Sequence, residues 1–257
     1  MAVSQVFDAS ENFTAGLDEL LFEICEDLQL SGSRYDLAVE RYNTLNRVLE
    51  STESPFRFFK PDIYPQGSMA LGTTVKPLEG PHDLDFVLQL SRNHNTVDPM
   101  ILIRTLYGFL KGHGTYGSVV TPKNRCVRIT YADEFYMDVL PACHNAAASG
   151  TCIKVPDRAL KTWSDSNPIG YVGWFRQRSK ILRVDRVLDR AAPVPPQQAV
   201  SEKSTLQLVV QLVKRWRDLY YTAGAAELAP ISVVLTTLAA HCYQGERSVS
   251  SALTKPS

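Results

Sequence analysis

The stretch Asp83-Leu84-Asp85-Phe86-Val87-Leu88-Gln89-Leu90 narrows the folds open to this chain more than any other. Side chains alternate along an extended strand, so Leu84, Phe86, Leu88 and Leu90 share one face while Asp83 and Asp85 share the other. The apolar face demands a core behind it. Two carboxylates one residue apart repel each other and resist desolvation, so they belong at the mouth of a cleft where a cation compensates them. A second segment, Phe135-Tyr136-Met137-Asp138-Val139-Leu140, repeats the device, with Asp138 opposite an apolar face of Phe135, Met137 and Val139. If the two strands pair side by side, three carboxylates converge. Such a set suits two divalent cations about 4 Å apart, the arrangement used for in-line phosphoryl or nucleotidyl transfer.

Other patterns surround these strands. Leu17, Leu20, Leu21, Ile24 and Leu28 give helical spacing over 13–30, and Leu37, Tyr42, Leu45, Val48 and Leu49 repeat it over 33–50, which predicts two helices or one long broken one. Residues 84–90 read as a strand, 99–113 as a helix, and 117–142 as two or three strands with turns at 122–124 and 132–133. Beyond about residue 160 the chain reads as helical. One helix starts at Pro168 and stops before the linker at 193–198; others cover 202–222 and 231–244. The expected fold is α+β and two-lobed, with a mixed-sheet lobe with N-terminal helices over 1–160 and a helical lobe over 161–257 that closes a cleft.

Charge and cysteine usage bound the partners. Lys plus Arg is 27 and Asp plus Glu is 27, so the chain lacks the basic excess typical of proteins that hold long nucleic acids. The five cysteines, Cys25, Cys126, Cys143, Cys152 and Cys242, form no Cys-x-x-Cys pair, which excludes zinc-finger spacing. Cys143, His144 and Cys152 are close enough in sequence to be weighed as metal ligands, against ordinary thiols. The N-terminus is not that of a signal peptide, and no apolar run reaches the ~18 residues of a membrane span. These features predict a soluble protein of the reducing cytoplasm, without membrane contact.

Ahead of the aspartates lies Pro65-Gln66-Gly67-Ser68. Gly67 lets the backbone approach a phosphate, and Ser68 is placed to cap a short helix and offer its hydroxyl there. Gly-Ser alone is usually a turn, and a single Asp at a strand start is usually a cap. Together, Gly-Ser, Asp-x-Asp before apolar residues and a distant third Asp on a strand resemble the polymerase-β-like nucleotidyltransferases. The segments "PQGSMALGT", "HDLDFVLQL", "YMDVLPA" and "SNPIGYVGWF" are similar to those of the bacterial cGAS/DncV-like nucleotidyltransferases, the CD-NTases, over residues 35–245.

The resemblance implies a metal-dependent enzyme with two Mg2+ ions, or Mn2+ in their place. Asp83 and Asp85 would hold both ions; Asp138 would hold the catalytic one and help activate a ribose hydroxyl. Gly67 and Ser68 would bind the nucleoside triphosphate, Lys214 would grip the triphosphate, and Ser232 would assist. The plain alternatives are a solvated helix lysine and a helix cap. Substrates would be ATP or GTP or both. The product would be a short, cyclic oligonucleotide messenger of CBASS antiphage defence, read by a separate effector protein. The absence of a zinc ribbon and the neutral charge argue against a nucleic acid activator. The basic stretch Arg176, Arg178, Lys180, Arg183, Arg186 and Arg190 reads as a solvated face, and His82 as a turn residue. Rival readings are a nucleotidyltransferase acting on RNA or protein, and a catalytically silent nucleotide-binding module.

Overall fold

In the computed structural model, which describes residues 2–132, 134–148, 150–179, 194–222 and 226–254, the two N-terminal apolar stripes become separate helices, α1 (Ala2–Asp27) and α2 (Gly32–Glu50). The Ser31 side chain accepts from Arg34 N and caps α2. Tyr35, Ala38, Tyr42, Leu45 and Leu49, three and four residues apart, form its buried stripe. Then come β1 (Asp62–Pro65), the short α3 (Gly67–Leu71), β2 (His82–Asn93) and α4 (Pro99–Gly112). Asp98 caps α4 and Pro99 sits in its first turn, where the missing N–H is not needed.

Residues 117–142 resolve into three strands, β3 (Val120–Pro122), β4 (Val127–Tyr131) and β5 (Phe135–His144). Two strands that the sequence pattern did not predict follow, β6 (Ile153–Asp157) and β7 (Thr162–Ser166). The sheet runs β1-β2-β5-β4-β3, with β6 on the far end of β5 and β7 beside β6. It is mixed: β2 and β5 are parallel, and the other pairs are antiparallel. Leu84, Phe86, Leu88, Leu90, Phe135, Met137 and Val139 bury against α2 and α4 in one core, as the alternation requires. Tyr42 stacks on Phe86 at 5.0 Å and donates its hydroxyl proton to Ile63 O at 2.7 Å.

The second half is helical: α5 (Pro168–Arg178), α6 (Thr205–Tyr221), α7 (Ser232–Cys242) and α8 (Val249–Thr254). Leu71, Val172, Phe175, Leu206, Val210 and Ala240 form its core beneath α3. The expected division at 160/161 needs two corrections. It cuts the β6–β7 hairpin, whose second strand is sheet. In addition, α1 belongs with the helices, since Leu21, Phe22 and Cys25 pack with Val200, Leu208, Val209 and Val249. The physical reason is that an amphipathic stripe specifies burial but not the partner it buries against. The helix expected from Pro168 to the linker is described only to Arg178, and Lys180, Arg183, Arg186 and Arg190 lie outside the described residues. Arg178 is no solvated residue. It donates to the Ala240, His241 and Tyr243 carbonyls and closes the end of α7. Among the described residues no helix is long and apolar enough to cross a membrane.

Candidate active site

The parallel register of β2 and β5 sets Asp85 opposite Asp138, with Asp83 two residues back on the same face. β4 completes the group by placing Arg128 opposite Asp138. The Arg128 guanidinium makes a two-pronged contact, Nε to Asp138 Oδ1 at 2.7 Å and Nη2 to Asp138 Oδ2 at 2.8 Å, and the same Nη2 reaches Asp83 Oδ1 at 3.3 Å. Tyr136 lies beneath it, the ring centre 4.5 Å from Arg128 Cζ. Asp85 has no such partner. Burial raises its carboxyl to about 6, and the charges of Asp138 and Asp83 push the same way.

The expected side-by-side pairing of the two strands is present and sets the three aspartates on one face of the sheet. Among the described residues no group of three or more His, Cys, Asp and Glu side chains is disposed to hold a metal ion. That holds for the aspartates and for Cys143, His144 and Cys152 alike. At the aspartates, the Arg128 guanidinium contacts both oxygens of Asp138. The donors themselves fit hard divalent cations, being oxygen ligands with excess negative charge. The raised Asp85 also marks a place where positive charge is wanted.

Gly67 precedes Asp85 in space as closely as a backbone can. Its φ is +61°, and a Cβ there would sit 2.9 Å from Asp85 Oδ2. Gly67 opens α3, whose cap position is Gln66, so Ser68 lies inside the helix rather than capping it. After α3 the chain crosses over α6, and α6 holds it by its carbonyl oxygens. Gln207 donates to Leu71 O, Lys214 to Thr73 O at 2.9 Å, Gln211 to Thr74 O and Arg215 to Lys76 O. These donors recur every three or four residues and so form one helix face. Gly72 is required beneath them, because at φ +68° a Cβ would lie 2.4 Å from Gln207 Nε2.

Lys214 is 8% exposed, which excludes the reading of a solvated lysine. Burial lowers its ammonium to about 8, and the Arg217 charge adds to this. A cavity of about 940 Å3 opens between the sheet and the helices, and Gly67, Ser68, Asp83, Asp85, Lys214 and Ser232 all line it. Asp138 stands behind this group, beside Asp85 on the sheet. Ser232, in the first turn of α7, accepts from Arg217 Nη1 at 3.1 Å rather than from Lys214. His82 is not a turn residue: it begins β2, is 7% exposed, and its Nε2 has no hydrogen-bond partner among the described residues. Burial lowers it to about 4, with the Lys214 and Arg34 charges acting in the same direction, so it is neutral at pH 7.

Sequence reasoning missed Arg128, Arg217 and the aromatic wall of Tyr171 and Trp174, whose rings lie 5.3 Å apart beside the cavity. Arg217 was findable, three residues after Lys214 on one helix face. Arg128 was not, because its role depends on a cross-strand register.

Residues 17–179 match the family described as the Second Messenger Oligonucleotide or Dinucleotide Synthetase domain. A c-di-GMP synthase of Roseivirga ehrenbergii is 30% identical over 243 residues, covering 94% of this chain and 64% of that protein. The cyclic dinucleotide synthase CdnG of Bradyrhizobium diazoefficiens is 28% identical over 252 residues, covering 89% and 59%. The chain thus spans about three fifths of the length of these curated relatives. The solved structure of the Bradyrhizobium diazoefficiens CD-NTase CdnG in complex with GTP superposes with a TM-score of 0.72 at 26% identity, over 92% of this chain and 73% of that one.

Proposed function

Since the chain belongs to the family of second messenger oligonucleotide or dinucleotide synthetases, as a bacterial CD-NTase of polymerase-β-like fold, we propose that it joins nucleoside triphosphates into a cyclic dinucleotide with release of pyrophosphate. The observation that carries this reading is the single cavity lined by Ser68, Asp83, Asp85 and Lys214, with Asp138 registered beside Asp85. GTP is a substrate in this proposal. It is supported by a relative named c-di-GMP synthase and by the GTP complex of CdnG; ATP is the second candidate.

Asp83, Asp85 and Asp138 would hold two Mg2+ ions, which when bound neutralise phosphate charge and stabilise both the attacking and the leaving oxygen of an in-line displacement. Asp138 orients the acceptor ribose hydroxyl toward the α-phosphorus. Lys214 supplies a point charge to the triphosphate, and its three N–H donors let it keep Thr73 O while doing so. Ser68 and the Gly67 backbone face the same phosphates, and Ser232 with Arg217 flanks Lys214. Tyr171 and Trp174 offer apolar faces on which a purine can stack. The proposed setting is CBASS defence in the bacterial cytoplasm. The five free thiols fit a reducing compartment, and a separate effector protein would read the product.

The test is direct. Protein incubated with Mg2+ and the four NTPs, without nucleic acid, is analysed by mass spectrometry. A cyclic dinucleotide containing guanine is expected. Extension of added RNA in its place would establish an RNA-directed transferase, and no product with intact nucleotide binding would leave a silent binding module. Turnover that appears only with added DNA or RNA would overturn the proposal of activator-free synthesis.

A further inference from the structure

Arg128 is the residue around the three aspartates that metal-dependent transfer does not call for. Its fork takes one lone-pair site on each oxygen of Asp138 and extends to Asp83. A small divalent cation requires lone pairs of those same oxygens in a near-octahedral shell, and the guanidinium charge beside them repels it. The guanidinium and the cation therefore compete at Asp138. The Arg128 side chain is 23% exposed, so it has room to move. The Tyr136 ring at 4.5 Å supplies a surface on which it can slide without losing all of its partners.

We propose that Arg128 is a resident counter-ion that occupies Asp138 in the metal-free protein and must yield it when divalent cations enter. Arg128 is thus a gating residue for metal loading, and it holds β4, β5 and β2 together while the site is empty of metal. Two mutually repelling carboxylates beside a third would otherwise strain the centre of the sheet. The inference rests on the reading of Asp83, Asp85 and Asp138 as the metal site.

The opposite possibility is also physical: a guanidinium that stays in place and aims Asp138 at the metal. The two readings predict opposite signs. Mn2+ is titrated calorimetrically into metal-free protein without nucleotide, for wild type, Arg128→Gln, Arg128→Lys and Asp138→Asn. If Arg128 competes, Arg128→Gln binds Mn2+ at least about tenfold more tightly, the scale of a lost charged hydrogen bond. Its melting temperature falls in chelator and recovers with Mn2+. Arg128→Lys keeps the charge but loses the fork. Tightening in this variant shows that competition for the oxygens, and not charge removal alone, is the cause, and it carries the test should the Gln variant not fold. Unchanged or weaker Mn2+ binding in both Arg128 variants overturns the proposal. Asp138→Asn separates the two levels of the argument: if it binds Mn2+ as wild type does, the metal-site reading itself fails. If it loses binding while the Arg128 variants match wild type, only the gating role fails.

Discussion

Asp85→Asn should stabilise the metal-free protein at neutral pH while abolishing turnover. Asp85 is buried beside Asp138 and Asp83 and carries no compensating fork, which raises its carboxyl to about 6. In an unfolded chain the same group titrates near 4. Between those values the folded state binds more protons than the unfolded one, so stability falls as pH rises through that window and the full penalty is present above it. The gap corresponds to about 3 kcal/mol at most. Asp85 lines an open cavity, and solvent there reduces the figure to roughly 1–3 kcal/mol. Asn has nearly the same shape and removes the charge. Its melting temperature in chelator at pH 7.5 should therefore exceed that of wild type by roughly 3–10 °C, with the gap closing as pH approaches 4. Melts of both proteins in EDTA from pH 4 to 8 decide the matter. An Asn variant less stable than wild type at pH 7.5, or an advantage that persists unchanged at pH 4, would refute the electrostatic account.

Three further substitutions probe the helical side of the cavity and the segment that α6 holds. Lys214→Ala should weaken binding of a non-hydrolysable GTP analogue with Mg2+ by about ten- to a hundredfold. Its melting temperature should stay close to wild type, because losing the bond to Thr73 O is offset by removing a buried cation; calorimetric titration and thermal melts check both. Ser232→Ala should weaken binding less, since Arg217 keeps its bond to Pro230 O. Gly72→Ala should cost about 1–3 kcal/mol in urea denaturation, through its positive φ and the contact with Gln207.

The sheet side of the candidate site was legible because strand alternation is local: the parity of Asp83, Asp85 and Asp138 against their apolar neighbours fixes the faces without any tertiary knowledge. The short helix at Gly67 was legible from its Gly-Ser start, whereas β1 before it was not read as a strand. What failed was non-local. β6 contains Pro156, and β7, Thr-Trp-Ser-Asp-Ser, is half polar, so neither carries a strand pattern of its own; β6 is a strand because it pairs with the end of β5, and β7 because it pairs with β6. The α1 stripe was read as a helix, but Leu20 on it is 52% exposed, and the elements that Leu21, Phe22 and Cys25 pack against, α6 and α8, lie at the other end of the chain. Arg128 reads as an ordinary strand arginine until the β4–β5 register sets it against Asp138.

The hold of α6 on the Leu71–Lys76 carbonyls bears on how this molecule can be dissected. The family match ends at residue 179, before α6 begins. A fragment cut there would keep all three aspartates and the Gly-Ser helix. It would, however, strip the donors Gln207, Gln211, Lys214 and Arg215 from four backbone oxygens and bare the apolar underside of α3 at Leu71. The matched segment is thus a unit of descent and not a unit of folding. Chimaeras between relatives should exchange the 67–76 segment and α6 as a pair, or the grafted loop will lack the helix that gives it its shape.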